Sequence, residues 1–395
     1  MQSIIPKNTL LSLLCCLFSA NLYAKNCEFE AVSFTASFET GKLNSCEQLS
    51  DNHYLLTTDA ENRPINPSPW YAFKVELNEA TKTQQIKISI QAEQAKPRYL
   101  PKMSTDSKTW QDLPFLIKDN QLTFEITLSK AMYIAGQEII NNAQYLSWMN
   151  KIAQESSFTQ INIGNSTLGL PIDGLISQNT NNTEWLLILG RQHPPEVTGA
   201  LALLGFVDEL AKSSQRQKAF LERFNVLIVP NLNPDGVAAG NWRHNSKGID
   251  LNRDWGKFTQ IETQRVKTKL DAILTGSQRL VFALDFHSTQ QDIFYTMPSD
   301  YTVAPSQFSN DWLSKIKTQT VSSFVVRPKP GSSPGRGVFK QYIADTYKVH
   351  AVTFELGDNT QRGLIKHVAS IGAQTLVEQM LETQPPAFIY SATAP

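Results

Sequence analysis

From residue 143 onward, short apolar runs alternate with longer amphipathic stretches, and this alternation constrains the fold more than any other feature of the sequence. The short runs predict buried strands, and the longer stretches repeat their apolar residues with the period of a helix. Such alternation is typical of an α/β fold with a mainly parallel, mixed sheet and helices on both faces. The predicted order is helix 143–153, hairpin 159–170, strand 185–189, helix 196–210, strand 224–230, helix 261–274, strand 280–286, helices 307–322 and 338–347, strand 351–356 and helix 364–381.

Residues 27–135 show a different pattern of short runs with turns between them. In residues 71–77 and 122–126, apolar and polar side chains alternate with a period close to two, as in a strand with one buried face. Several such strands predict a smaller antiparallel β-sandwich before the α/β part. We therefore expect a β-sandwich domain over residues 25–138 and a catalytic α/β domain over residues 139–395.

The first 24 residues have the pattern of an export signal. Lys7 precedes an apolar run over residues 10–18, and Ala24 ends a stretch suited to cleavage. The apolar run is too short to span a bilayer comfortably. We therefore predict a signal peptide over residues 1–24, a mature chain without a membrane span, and export to the periplasm or the medium.

Two cysteines, Cys27 and Cys46, remain once the predicted signal peptide is removed. An oxidising compartment favours a disulfide between them. Two unpaired thiols would also fit the sequence, but a zinc site would not, because no histidine or further cysteine has suitable spacing to them.

The charges of the chain exclude some classes of partner. The 36 basic and 36 acidic residues balance to a formal net charge of zero. This balance gives no electrostatic reason to expect binding to nucleic acid or to an anionic membrane. The sequence does not determine an oligomeric state.

A histidine and a glutamate lie three positions apart where a predicted strand is followed by a predicted helix. The apolar run 185–189 ends at Gly190, and His193 and Glu196 follow it. Open α/β sheets place their sites at the carboxyl ends of strands. A catalytic zinc can use such a short-range pair and a third ligand from elsewhere. Taken alone, the pair is better explained by a loop histidine and a glutamate that favours the start of a helix.

Two further strands end in residues suited to the same chemistry. His287 follows the predicted strand 280–286, and Glu355 lies at the end of the predicted strand 351–356. If His287 joins His193 and Glu196 as a third ligand, a four-coordinate zinc keeps one position open for water. This arrangement is typical of catalytic zinc sites. A carboxylate beside that water can take its proton and return it to a leaving amine. The predicted cofactor is therefore Zn²⁺.

A polar loop over residues 241–255 contains two arginines, Arg243 and Arg253. A guanidinium can bind a carboxylate through its planar fork or donate to a developing oxyanion. A solvated loop with surface salt bridges would have a similar composition. Shortly before this loop, the stretch from Asn233 to Gly236 predicts a turn.

Together these residues resemble the zinc carboxypeptidase family that includes carboxypeptidase A. The resemblance covers roughly residues 140–385, and the residues occur in the family's order. It implies a zinc metallocarboxypeptidase, a hydrolase that removes a C-terminal residue from a peptide substrate. The roles it implies are zinc ligation by His193, Glu196 and His287, acid–base catalysis by Glu355, oxyanion stabilisation by Arg243, and binding of the substrate's terminal carboxylate by Asn252 and Arg253.

The N-terminal part narrows the resemblance to a subfamily. Residues 34–43 and 69–75 resemble the β-sandwich that precedes cytosolic-type carboxypeptidases, some of which trim glutamates. By this resemblance, the region of Arg336 and Lys340 would line the pocket for the substrate's side chain. Basic residues there would favour a C-terminal glutamate or aspartate. Two solvent-exposed basic residues fit the sequence nearly as well.

One feature departs from the family's pattern. The family often places a substrate-contacting tyrosine upstream of the catalytic glutamate, in a window that corresponds here to residues 331–335. That window contains no tyrosine. Tyr342 and Tyr347 lie nearby, and the sequence assigns neither of them to the site.

Two other functions have to be weighed against a peptidase. The first is a zinc-dependent deacylase or amidohydrolase of acylated amino acids on the related aspartoacylase-like scaffold. The second is a binding protein on an inactive hydrolase scaffold, but this would require the loss of a ligand or of Glu355, and none is missing. The predicted β-sandwich and the position of Arg243 favour the peptidase, and export makes a murein peptide one substrate to consider.

Overall fold

The structure is a computed structural model that describes residues 26–79 and 83–391. The predicted signal peptide over residues 1–24 lies outside the described residues. No helix within the two described ranges is long and apolar enough to cross a bilayer.

The chain forms strands first and then alternates strands with helices. The strands of the N-terminal part are β1 (Cys27–Glu28), β2 (Val32–Thr35), β3 (Ser45–Ser50), β4 (His53–Thr58), β5 (Ala72–Leu77), β6 (Gln84–Ala92), β7 (Lys102–Ser104), β8 (Gln111–Asp112), β9 (Leu116–Lys118), β10 (Gln121–Leu128) and β11 (Met132–Ala135). The later strands are β12 (Thr159–Asn165), β13 (Pro171–Ser177), β14 (Glu184–Gly190), β15 (Phe224–Val229), β16 (Arg279–Thr289), β17 (Ile293–Thr296), β18 (Pro328–Pro330) and β19 (Ala351–Gly357). The helices are α1 (Asn142–Glu155), α2 (Val197–Leu210), α3 (Gln215–Arg223), α4 (Pro234–Ala239), α5 (Ile261–Ile273), α6 (Phe308–Gln319), α7 (Phe339–Tyr347) and α8 (Arg362–Glu382), with short 3₁₀ turns at Leu251–Arg253 and Pro385–Phe388.

The N-terminal strands form two sheets around one core. Their orders are β1-β2-β5-β11-β7-β8 and β3-β4-β6-β10-β9. Every pair is antiparallel except β4 and β6, which run parallel. Strands β4 and β10 bury every second side chain, as the period of a strand requires. The shared core includes Phe34, Tyr54, Phe73, Ile88 and Phe124.

A disulfide joins the two N-terminal sheets, as the sequence predicted. It connects Cys27 of β1 with Cys46 of β3, which are 19 positions apart. In the chain-entropy account, closing a loop of this length stabilises the folded state by about 3 kcal/mol.

The other strands form one eight-stranded sheet with the order β12-β13-β15-β14-β16-β19-β17-β18. Its centre, β15-β14-β16-β19, is parallel, whereas β12, β13 and β17 add antiparallel pairs. In β14, Leu186 and Ile188 pack into a core with α2, α6 and α8, whereas Leu187 and Leu189 pack into a second core with α5 and α7. Helices therefore cover both faces of a mixed sheet, which confirms the predicted α/β class.

Two local predictions differ from the structure. The stretch from Asn233 to Gly236, predicted as a turn, begins helix α4 instead. The Asn233 side chain accepts a hydrogen bond from the Gly236 N–H at 3.0 Å, and Pro234 occupies the first turn. The same residue types favour turns and helix starts, so composition could not separate them. Helix α3 was not predicted, and it follows α2 after only a short break.

Candidate active site

Three neighbouring parallel strands bring the candidate catalytic residues to one edge of the sheet. Gly190, at the end of β14, pairs with Phe286 in β16, and His287 pairs with Glu355 in β19. His193 lies just beyond β14. The parallel direction of the strands therefore gathers residues that are far apart in the sequence.

The side chains of His193, Glu196 and His287 form a buried cluster suited to a metal ion. One ligand atom from each lies within 4.8 Å of the others. Glu196 Oε1 is 2.8 Å from His193 Nδ1, and Glu196 Oε2 is 2.7 Å from His287 Nδ1. Two imidazole nitrogens and one carboxylate thus converge, which is a donor set of catalytic zinc sites.

Two aspartates hold the far sides of the imidazole rings. His193 Nε2 lies 2.9 Å from Asp250 Oδ1, and His287 Nε2 lies 2.7 Å from Asp285 Oδ2. A carboxylate at Nε2 favours a proton there, which leaves Nδ1 as the metal-binding atom. Because both Nδ1 atoms face Glu196, the residues present fit Zn²⁺.

The charges of the cluster favour a cation at its centre. Burial alone would raise the pKa of Glu196, but the imidazoles of His193 and His287 hold it well below its ordinary value. Burial alone would lower the pKa of His287, but the carboxylates of Asp285 and Glu196 raise it well above its ordinary value. The carboxylates therefore favour positive charge on their neighbours, which protons or a metal ion can supply.

Glu355 is the remaining carboxylate of the site. Burial is the main cause that raises its pKa to about 7, with the nearby charge of His287 opposing this effect and that of Glu196 adding to it. A carboxyl group with a pKa near neutral can both accept and return a proton during a reaction. Its position beside His287 in the sheet places it next to the metal-ligand cluster.

The polar loop predicted from the sequence lies beside this cluster. Arg243 Nε donates to Asp250 Oδ2 at 2.8 Å, so one carboxylate holds both this arginine and His193. Arg253 Nη1 donates to the Asn252 main-chain oxygen at 2.7 Å and lies 4.0 Å from Asp250 Oδ2. The Asn252 side chain accepts from the Phe339 N–H at 2.8 Å. The loop is therefore tied to the metal-ligand cluster and to the start of α7.

A cavity of about 460 Å³ joins all of these groups. Every residue assigned to the site from the sequence lines it, namely His193, Glu196, Arg243, Asn252, Arg253, His287, Arg336, Lys340 and Glu355. A volume of this size suits one or two residues of a bound substrate.

The two basic residues predicted for a specificity pocket differ in their surroundings. Lys340 is buried, and its ammonium group donates to the main-chain oxygens of Thr296, at 2.8 Å, and Gly331. Burial lowers its pKa to about 8. Arg336 is exposed at the cavity edge. A Cβ on the next residue, Gly337 (φ 68°), would lie 2.2 Å from the Arg253 main-chain oxygen, so glycine permits this close approach.

Sequence reasoning missed five further residues of the site. Asp250 and Asp285 hold the histidines, Tyr295 and Lys329 line the cavity, and Arg98 reaches it from the β-sandwich. Asp285 lies two positions before His287, so their spacing was the one available signal. Neither Tyr342 nor Tyr347 is among the described residues that line the cavity, whereas Tyr295 is.

Comparison with known proteins finds a family match for each part of the chain. Residues 145–376 match the family described as zinc carboxypeptidase, and residues 34–136 match the cytosolic carboxypeptidase N-terminal domain. Cytosolic carboxypeptidase 3 of Mus musculus is 25% identical over 306 residues, which cover 68% of this chain and 30% of the mouse protein. The chain thus spans about a third of the length of that relative.

Solved structures share the fold. A metallo-carboxypeptidase from Burkholderia cenocepacia superimposes with a TM-score of 0.74 at 19% identity, covering 89% of this chain and 98% of the other. A metallo-carboxypeptidase from Pseudomonas aeruginosa, in complex with (2-guanidinoethylmercapto)succinic acid, gives a TM-score of 0.73 at 17% identity, covering 88% and 99%.

The family match covers more than half of the chain, so this protein belongs to the zinc carboxypeptidase family. The family's description implies Zn²⁺ as the cofactor, and a cytosolic carboxypeptidase N-terminal domain precedes the catalytic part. The family and subfamily inferred from the sequence are both confirmed.

Proposed function

We propose that this protein hydrolyses the C-terminal peptide bond of a peptide and prefers an acidic C-terminal residue. The observation that carries the proposal is that one cavity contains both the metal-ligand cluster with Glu355 and a set of arginines suited to a carboxylate. An exopeptidase needs these two groups within one residue's length of each other.

Each residue then has a chemical role. Zinc, when held by His193, Glu196 and His287, supplies a Lewis acid that polarises the scissile carbonyl. Glu355 takes the proton of the attacking water and returns it to the leaving amine, a task suited to a pKa near neutral. Arg243 donates to the developing oxyanion.

Arg253 and Asn252 make the reaction specific for the chain end. Arg253 offers a guanidinium on the cavity wall to the substrate's terminal carboxylate, with Asn252 beside it. Binding of that carboxylate would position the last peptide bond for attack. An internal peptide bond lacks the carboxylate and would be held less well.

The charges on the cavity wall support an acidic preference. Six basic residues line the cavity, whereas Glu196 and Glu355 are the acidic ones among its described lining residues. Arg98, Arg243 and Arg253 have aspartate partners within 4.0 Å. Lys329, Arg336 and Lys340 have no carboxylate partner among the described residues. The positive charges of the two exposed residues, Lys329 and Arg336, would attract a glutamate or aspartate side chain, whereas the ammonium group of Lys340 is held by main-chain oxygens.

Export is a further part of the proposal. The disulfide between Cys27 and Cys46 supports an oxidising compartment, since such bonds are rare in the reducing cytosol. The pattern of residues 1–24 supports a cleaved signal peptide. N-terminal sequencing of the protein from its native source should begin at Lys25. An intact leader on the mature protein would contradict export by this route.

The test of the activity is a comparison of peptides that differ only in their last residue. Purified protein should contain one zinc per chain by elemental analysis and should release glutamate or aspartate faster than lysine or phenylalanine. Faster release of lysine would contradict the acidic preference. Release of an amino acid from N-acylated amino acids but not from peptides would favour the deacylase instead.

A further inference from the structure

The β-sandwich contacts the catalytic domain at the loop that contains Arg243. Helix α4 ends at Ala239, and residues 240–248 form this loop, which we call the arginine loop. Asn62 Nδ2 donates to the Gly248 main-chain oxygen at 3.1 Å. Gly248 has a φ of 73°, a left-handed conformation that favours glycine at this contact with the β-sandwich.

One carboxylate of the β-sandwich accepts hydrogen bonds from three consecutive main-chain N–H groups of the arginine loop. Glu61 Oε2 accepts from Trp242 at 2.7 Å, and Glu61 Oε1 accepts from Arg243 at 3.0 Å and from His244 at 2.6 Å. The Glu61 side chain is 11% exposed. Hydrogen bonds to a charged acceptor that is largely shielded from water are among the stronger ones in proteins.

The side chain of Arg243 is held by a second carboxylate, from the catalytic domain. Its main-chain N–H points to Glu61, while its Nε donates to Asp250 at 2.8 Å. This leaves the two terminal guanidinium nitrogens for a bound substrate. The position of the guanidinium in the cavity therefore depends on two carboxylates, one from each domain.

We infer that Glu61 of the β-sandwich is a positioning residue for catalysis, which holds the main chain of Arg243 so that its guanidinium meets the developing oxyanion. Glu61 does not line the cavity and acts through Arg243. A donor misplaced by about 1 Å loses much of its effect on a transition state, because catalytic donors act only when they are pre-positioned. The inference rests on the proposed peptidase activity.

Glu39 provides a matched control for this inference. It is another β-sandwich carboxylate that accepts a main-chain N–H across the domain boundary, from Asn142 at 2.9 Å. Asn142 begins α1 and does not line the cavity. If Glu61 served only to hold the domains together, replacing Glu39 would have similar consequences.

The experiment compares Glu61→Gln with Glu39→Gln in the zinc-loaded full chain. A glutamine offers one acceptor oxygen, and its NH₂ group would face N–H donors. We expect Glu61→Gln to lower kcat for a peptide ending in glutamate about tenfold, with KM changed less than twofold. Glu39→Gln should keep the wild-type kcat. Equal losses in both variants, or no loss in Glu61→Gln, would overturn the inference.

A double-mutant cycle with Arg243→Ala separates positioning from a general defect. If Glu61 acts through Arg243, Glu61→Gln should cause no further loss of kcat when Arg243 is already alanine. The same tenfold loss in both backgrounds would contradict the inference. If Glu61→Gln fails to fold, Glu61→Asp, which keeps the charge but shortens the reach, is taken through the same cycle.

Hydrogen exchange gives a second readout that does not depend on activity. The amides of Trp242, Arg243 and His244 should exchange faster in Glu61→Gln and remain protected in Glu39→Gln. Unchanged exchange would show that Glu61 does not hold the loop. A wild-type protein that releases no C-terminal residue would instead refute the proposed function, and the exchange result would still stand.

Discussion

The two sides of the cavity differ in how their charges are paired. On the metal side, His193 and His287 each contact two carboxylates, and Asp250 also binds Arg243. On the rest of the cavity wall, which we call the substrate side, Lys329 and Arg336 are exposed and have no carboxylate partner among the residues that the structure describes. The metal side suits a small cation, and the substrate side can receive a negatively charged group from the substrate.

This difference indicates that the metal side serves catalysis and that the exposed basic residues serve substrate specificity. Paired and buried charges keep the reacting groups in one geometry, because any movement would leave a buried charge without its partner. Unpaired charges near water can favour one substrate over another, but replacing them changes activity and stability only a little. Changes on the metal side should therefore have larger effects than changes on the substrate side.

The largest effect is expected for Glu355→Gln. Glutamine keeps the shape of the side chain but cannot accept or return a proton, so kcat should fall about 100- to 10,000-fold. Zinc content by elemental analysis should stay at the wild-type level, because the metal ligands are unchanged. Loss of zinc together with activity would show that Glu355 has a structural role.

A smaller effect is expected for Asp250→Asn. The variant removes the negative charge that holds both His193 and Arg243. Removing such a support of a metal ligand should weaken zinc affinity or activity about 10- to 100-fold, measured by competition with a chelator and by kcat. Asp173→Asn is the control, because Asp173 accepts a hydrogen bond from Asn162 in the partly exposed hairpin of β12 and β13 and does not line the cavity. Equal zinc affinity in both variants would contradict a supporting role for Asp250.

On the substrate side, Arg336→Met and Lys340→Met should differ. Arg336→Met should lower kcat/KM for glutamate-terminated peptides about two- to fivefold, since solvent limits an exposed charge pair to about 1 kcal/mol. It should leave phenylalanine-terminated peptides unchanged. An equal loss for both peptides would mean that Arg336 does not contact the side chain of the substrate's C-terminal residue.

Lys340→Met should act on stability more than on specificity. It would leave the main-chain oxygens of Thr296 and Gly331 without their donor, at a cost of about 1–3 kcal/mol to the free energy of unfolding. Denaturant unfolding measures this loss. A variant with wild-type stability and altered specificity would assign Lys340 to the substrate instead.

The smallest effect is a pH dependence in the metal-free protein. Burial raises the pKa of Glu355 to about 7 from an ordinary value of 4.5, so folding favours the protonated form. This favourable contribution is present below about pH 4.5 and is lost as the pH rises through 7. With a chelator present, Glu355→Gln should therefore raise Tm relative to wild type more at pH 8 than at pH 5. A difference in Tm that does not change with pH would contradict the raised pKa.

Much of the fold and of the site followed from local sequence. The predicted strands 185–189, 224–230 and 280–286 lie within one residue of the start of β14, β15 and β16, because continuous apolar runs are typical of strands buried on both faces. The sequence did not predict the smaller strands β1, β3, β7, β8, β9, β11, β17 and β18. They are short or largely exposed, so their sequences carry little periodic signal.

The sequence by itself determined the family, the α/β class and the residue types of the site, since these depend on motifs and apolar periods within short stretches. Only the tertiary structure decided that Asp250 supports both His193 and Arg243, and that Glu61 of the β-sandwich holds the arginine loop. His193 and Asp250 are 57 positions apart in the sequence, and Glu61 and Arg243 are 182 positions apart. Their geometry results from the packing of strands and domains. The sequence around a polar loop residue does not indicate which distant residue it will contact.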